Sequence, residues 1–267
     1  HHVFDIGVLC PPLPGENIWY NERESMIAMQ GQSVVIRMKH VISGDESIFK
    51  GIITEIGMDG ERGVSGTIHY RGCSPTVLLE SGKTMDSFMD YTLSAIVGEV
   101  VKNYGNGVEI VNKPLFNEQI PYVQMHEETG YEFLRRIAYQ YGEWFYYDGQ
   151  KLHFGNPQKD KNETVTYDVE LETVSFGSRI APFHYSRHDY MAEDDRPLYA
   201  DDSARVNGIN TYLANAIRTS ESIYQSPTTL YNKAIVGHPV HMNHLLEFEK
   251  GRDTASLVWL RGKSKTC

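Results

Sequence analysis

TGYEFLRRIAYQYGEWFYYDGQKLHF, residues Thr129 to Phe154, decides how this chain is read. Thr129 stands three residues before Glu132, the spacing of a capping box, in which each side chain satisfies a free backbone N–H at a helix start. Leu134, Ile137, Ala138 and Tyr141 recur at helical spacing as one apolar stripe, and Gly142 follows where a C-terminal cap sits. Beyond it Glu143 to Tyr147 is dense in aromatics, Asp148-Gly149 is a two-residue hairpin signal, and Lys151 to Phe154 alternates polar with apolar. The unit is a short helix that feeds directly into a hairpin.

Outward from this unit, Leu93, Ile96, Val97, Val100, Val101 and Tyr104 follow helical spacing, with Thr92 to cap the start and Gly105 to close the end. Before that helix the chain reads as strands. Gln32 to Val41 carries Val34, Ile36 and Met38 on one face, and Ile48 to Ile56 carries Ile48, Ile52 and Ile56 in phase with Phe49 and Ile53 opposite. Ser43-Gly44-Asp45 and the run Met58 to Gly63 supply turns, after which Gly66 to Tyr70 is extended again. Strands so closely spaced suit a barrel or sandwich. Downstream, Glu163 to Tyr167 and Thr173 to Phe176 are short strands, broken by Gly177-Ser178 and Ala181-Pro182. Met191 to Asp202, with Asp194-Asp195 and Asp201-Asp202, reads as a polar loop. Asn210 to Tyr224 reads as a helix, with Leu213, Ile217 and Tyr224 on one side and Tyr212, Ala216 and Ile223 on an adjacent one, ended by Pro227.

Length and composition bound the function. At 267 residues the chain suits two modest domains, each able to bury a core. Its 40% apolar content, 17 Tyr and 10 Phe are those of an ordered globular protein, and no apolar run is long enough for a membrane helix. Thirty-five acidic residues against 25 basic ones leave a net charge of -10, which disfavours nucleic acid as a partner. Cys10, Cys73 and Cys267 stand at no metal-like spacing and are expected as free thiols. The start at His1-His2-Val3 and the ending LRGKSKTC lead us to expect a fragment at one or both ends.

Motifs for chemistry mostly fail. Glu80-Ser81-Gly82-Lys83-Thr84 imitates a phosphate loop, but Val77 stands where the first glycine is needed. His126-Glu127 could open a zinc-protease helix, yet Gly130 occupies the place of the second histidine. His238, His241 and His244 in HPVHMNH are the best metal candidate, since spacing by threes can put two imidazoles on one helical face. Pro239 and the lack of a carboxylate or cysteine nearby make a histidine-rich loop or strand edge an equal explanation. Paired carboxylates can be chosen anywhere in so acidic a chain, and only their separation in space is diagnostic. No nucleophile elbow or cofactor motif appears, and Trp144, Tyr146 and Tyr147 are read as sheet packing before a sugar platform.

A resemblance adds to this. The run YEFLRRIAYQYGEWFYYDG, with the acidic approach HEETG, resembles a segment of the VgrG spike proteins of type VI secretion and the related phage tail-hub (late control D) proteins. The matching residues are Glu127-Glu128, Phe133-Leu134-Arg135-Arg136, Gly142 and Trp144 to Tyr147, and Phe49 to Glu55 resembles a strand of the same families. Strands, helix, acidic link, helix and hairpin follow the family order from about Gln32 to Phe154. Two departures stand out: Glu143, where an apolar residue is expected, and Gly130-Tyr131, where a serine-acidic pair is commoner.

The resemblance implies a mainly β (α+β) fold of two similar barrel-like hub domains with helical insertions. The first would span 1–155, with helices at about 92–104 and 130–142, and the second 156–267, with interleaving of the two allowed; the oligonucleotide-binding-type barrel and β-helical needle of the family are not evident. It further implies a non-enzymatic homotrimer that caps a hexameric, Hcp-like tube and meets baseplate components, a tip protein and effectors. Such a protein assembles in the bacterial cytoplasm and is then injected with the spike, or belongs to a phage tail. The alternatives are a wall-degrading hydrolase and a carbohydrate-binding β protein.

Overall fold

A computed structural model describes residues 1–10, 28–39, 44–59, 66–104, 107–156, 166–182, 185–191, 194–200, 206, 209–226, 228–232, 234–236 and 238–264. Four antiparallel strands come first: β1 (Val3–Cys10), β2 (Ser33–Lys39), β3 (Glu46–Asp59) and β4 (Gly66–Cys73), side by side in the order β1-β4-β3-β2. Val34 and Ile36 turn partly inward as expected, Met38 is exposed, and Ile53 and Ile68 are buried. The turn from Met58 to Gly63 falls largely outside the described residues, as do Gly105, most of Glu163 to Tyr167, Asp201-Asp202 and Pro227.

A short 3-10 turn (Pro75–Glu80) leads to β5 (Thr84–Thr92) and α1 (Leu93–Asn103), where Thr92 caps the helix by accepting the Ala95 N–H at 3.3 Å. Then come β6 (Ile110–Lys113), β7 (Gln119–Glu128), α2 (Gly130–Gln140), β8 (Phe145–Tyr147) and β9 (Leu152–Gly155). β5 pairs antiparallel with β7, while β9 lies between β6, parallel to it, and β8, antiparallel. The acidic link expected before α2 is thus a ten-residue strand. Its register comes from its pairing with β5, and it buries Ile120, Val123 and Met125.

The capping box is complete: Thr129 Oγ1 accepts the Glu132 N–H at 3.1 Å and Glu132 accepts the Thr129 N–H at 2.9 Å. The departure at Gly130 has a packing reason, because a Cβ there would stand 2.5 Å from the Tyr104 ring, whose hydroxyl accepts the Gly130 N–H at 2.9 Å. At the other end Gly142, with φ +70°, reverses the chain into β8. In the hairpin turn Asp148 accepts the Gln150 and Lys151 N–H groups, each at 2.7 Å. The hairpin docks on the first sheet: the Lys50 N–H donates to Gly149 at 2.7 Å, and the Tyr147 hydroxyl donates to the Lys50 carbonyl at 3.0 Å. Burial, reinforced by Asp148 and Glu109, pushes the Tyr147 hydroxyl up to about 12.

The rest of the chain forms β10 (Leu171–Ser178), β11 (Tyr185–Met191), β12 (Arg196–Ala200), α3 (Thr211–Ile223), β13 (Thr228–Tyr231), α4 (Pro239–Ala255) and β14 (Val258–Ser264). β10 pairs with β14, and β11 lies between β12, antiparallel, and β13, parallel. Two sequence expectations change here. Part of the polar loop from Met191 is strand β12, held by its ladder with β11 and by burial of Leu198 and Ala200. The histidine-rich loop or edge is the start of α4, with His238 as cap and Pro239 at the first helical position.

Buried apolar side chains from both halves form one continuous cluster, from Leu79, Leu93 and Phe133 through Tyr141 to Met242, Leu246 and Leu257. Arg187 on β11, almost fully buried, ties α4 to the small sheet: its Nε donates to Glu249 at 2.9 Å, a second nitrogen pairs with the other carboxylate oxygen, and a third contact reaches the Tyr231 carbonyl at 2.9 Å. Truncating one member strands the other charge. Arg187→Ala is therefore expected to cost about 3 kcal/mol or more in urea denaturation, and replacing Arg187 and Glu249 together by apolar residues to cost less than the single change. Thr129→Ala should cost about 1 kcal/mol by the same measurement.

Candidate assembly surface

The segment that decides the fold divides its side chains between core and surface. Phe133 and Leu134 are fully buried. Arg136 clamps α2 to β7, donating to Glu128 through Nε at 2.7 Å and a terminal nitrogen at 2.6 Å, and to the Gln124 carbonyl at 2.6 Å, while its guanidinium covers the Phe133 ring. Arg135 points outward and lines two adjoining clefts.

Apolar side chains stand exposed on three sheet faces. On the β5–β7 ribbon Met85 and Met89 are exposed, with Met89 opposite the exposed Tyr122. On β10–β14, Phe176 (74% exposed) and Leu260 (70% exposed) are direct cross-strand partners beside Val174. Across β12, β11 and β13, Tyr199, His188 and Tyr231 lie in register as a ladder of rings, with centroids 6.1 and 4.0 Å apart, and the two tyrosines are 68% and 75% exposed. Among the described residues β5 and β7 pair only with each other, as do β10 and β14, so these ribbons present free strand edges as well as apolar faces. Apolar side chains grouped on a sheet face are of the kind found at protein contacts.

A fourth surface is a largely apolar groove of about 550 Å³ between α2, the turn Gly142 to Phe145 and α4. Tyr139, Trp144 and Leu115 are exposed along it, and Phe248 packs against Gly142 at its base. Glu143, the departure from the resembled pattern, is buried at 8% exposure. One of its oxygens accepts the Phe116 N–H at 2.7 Å, fixing the loop before β7; the other, also buried, has no partner. A polar residue here serves to hold that loop, which the local sequence could not announce.

The histidine trio is spread along the start of α4. His238 Nδ1 accepts the Val240 N–H at 3.2 Å, His241 lies 3.6 Å from Glu118 with its ring edge-on to Phe116, and His244 is exposed. Ring centroids of His238 and His241 are 5.8 Å apart, and among the described residues no three His, Cys, Asp or Glu side chains gather as a metal site. Lys83 of the imitation phosphate loop lines the charged cleft beside Arg135. Tyr147 is buried, Tyr146 stacks on His153, and only Trp144 of the aromatic trio stands open. Cys73 is a half-buried free thiol. Among the described residues no helix is long and apolar enough to cross a membrane.

Burial pushes the Glu143 carboxyl up from its ordinary 4.5, against the Phe116 and Leu115 N–H groups, which pull it down. The folded state thus holds this proton more tightly than the unfolded chain does. The stabilisation that the proton supplies is complete below about 4.5 and is lost as pH rises through the raised value. Glu143→Gln lacks that loss, so its stability relative to the parent should grow from pH 4.5 towards 7 in denaturation midpoints; a constant difference would remove this reading.

Residues 22–172 match the phage tail baseplate hub (GPD) family. Among solved structures, the 43 kDa tail protein of prophage MuSo2 from Shewanella oneidensis superposes with a TM-score of 0.57 at 16% identity, over 97% of this chain and 73% of that one. The tail protein from Neisseria meningitidis MC58 gives 0.55 at 12% identity, over 97% and 70%. The E. coli c3393 protein, described as a component of the type VI secretion system with structural similarity to bacteriophage T4 tail proteins, gives 0.51 at 14% identity, over 67% and 49%. Identities this low speak to the fold, which is mostly β with curled sheets in the manner of a tail hub. No curated protein sequence matches. Because the stretch 22–172 is more than half of the 267 residues, the chain belongs to the phage tail baseplate hub family, as a structural tail component and not an enzyme.

Proposed function

We propose that this chain is a VgrG-like hub of a type VI secretion machine, acting as a homotrimer that seats on a hexameric, Hcp-like tube and joins it to baseplate components, a tip protein and effectors. In this reading 1–155 and 156–267 are two barrel-like units, so three chains present six similar units to the tube. It assembles in the bacterial cytoplasm and is injected with the spike.

The observation that carries the reading is that no strand ladder between described residues joins the two halves: every pairing lies within residues 3–155 or within residues 171–264. Each half also leaves apolar sheet faces and strand edges open, at Met85 and Met89 in the first and at Phe176 and Leu260 in the second. A closed cyclic oligomer buries such edges and repeats one contact around the ring. The role is geometric and needs no reactive group.

Sedimentation tests it. The expected mass is three times 30.4 kDa, with no release of muropeptides from peptidoglycan. Leu260→Asp on a trimer should shift the mass to that of the monomer while the single chain keeps its fold by far-ultraviolet circular dichroism, since Leu260 is exposed on the single chain. A mass that stays at one chain under all conditions, or at two, refutes the ring.

A further inference from the structure

Where the end of α2 meets α4 and the β11–β13 pair, the side chains leave a narrow cavity of about 20 Å³. Gln140 and Gly142 wall it from the first half of the chain, and Arg187, Asn232, Leu246 and Glu249 from the second. It lies in the joint between the halves, beside the hydrogen bond from the Tyr141 hydroxyl to the Ile235 carbonyl.

The polar groups on this wall are left half-paired in a matching way. Gln140 accepts Arg136 through Oε1 at 3.2 Å, and among the described residues nothing accepts from its Nε2. Asn232 is the converse. Its Nδ2 donates to the Ala234 carbonyl at 2.5 Å and lies 3.4 Å from Asp189, and among the described residues nothing donates to its Oδ1. Glu249 holds Arg187 with both carboxylate oxygens, each of which can accept a further donor. One amide donor and two kinds of acceptor therefore border the same space.

Size and charge select what fits it. A water needs about 10–15 Å³ of such space and takes up about 30 Å³ in the liquid, so the cavity holds one and not two. A cation there would meet the Arg187 guanidinium, which is 4% exposed, and an anion would meet Glu249. The occupant is thus small, neutral, and able both to donate and to accept.

We propose that this cavity is a binding site for a single structural water, which accepts from Gln140 Nε2 and donates to Asn232 Oδ1 and to the Glu249 carboxylate. Three hydrogen bonds are what a buried water typically makes. Held so, it ties the last turn of α2 to α4 and to the end of β13, and joins the two halves where no strand ladder between described residues does. The site stands on the cavity and its amides and does not depend on the trimeric reading above.

Two measurements on the whole chain test it. A crystal structure should show one ordered water within hydrogen-bonding distance of Gln140 Nε2, Asn232 Oδ1 and Glu249. Oxygen-17 relaxation dispersion in solution counts waters held longer than the protein takes to tumble. Gln140→Met, which keeps the length of the side chain and removes its amide, should lower that count by one. No ordered water in the cavity, an ion in its place, a water bonded to fewer than these three groups, or an unchanged count in Gln140→Met overturns the proposal. Should Gln140→Met fail to fold, the crystal structure of the parent decides alone.

Discussion

The reversal of the chain at Gly142 is the constraint on which most of the tertiary structure rests. Helix α2 is fixed at its start by the Thr129–Glu132 exchange and pinned along its side by Arg136 on Glu128, so its last turn has one position. Gly142 then takes a left-handed backbone against Phe248 of α4, with a Cβ there falling 2.4 Å from that residue's own Cβ. One residue earlier Tyr141, wholly buried, donates to the Ile235 carbonyl at 2.9 Å. Burial raises its hydroxyl far above the ordinary range, so it acts only as a neutral donor. Within two residues the chain sets the path of the hairpin and the seat of the second half.

That hairpin in turn organises the first half. It carries Tyr147 and Gly149 onto β3 and meets Phe49 edge to face, so the four-stranded sheet is located by the same reversal. The core is consequently continuous from α1 to α4, although no ladder between described residues crosses from one half to the other. Side-chain packing joins the halves and backbone pairing keeps them separate. A molecule built this way leaves ribbon edges and apolar faces on its surface, the features that the proposed assembly would bury.

Legibility in the sequence followed the range of the interaction. The capping box, the Thr92 cap, the stripes of α1 and α2, the Asp148-Gly149 turn and the Asn210 start of α3 are settled within four residues, and each stands where the pattern put it. Strands β5 and β12 were not legible, because Met85, Met89 and Tyr199 face outward and break the alternation that marks a half-buried strand, whereas β7 does alternate at Val123 and Met125. Helix α4 was missed for a related reason. Met242, Leu245 and Leu246 do carry helical spacing, and Pro239 marks the start, but Lys250 and Thr254 continue the buried side where apolar residues are expected.

The sequence by itself determined the local units, the acidic, mainly β character of the chain and, through the FLRR segment and its hairpin, the family. Only the tertiary structure decided that α4 closes over Gly142, that the odd Glu143 holds the Phe116 loop, and which apolar side chains remain outside. The physical reason is distance along the chain: caps and turns are satisfied by near neighbours, whereas a groove, an unpartnered carboxylate oxygen or an exposed ladder exists only once segments a hundred residues apart have met.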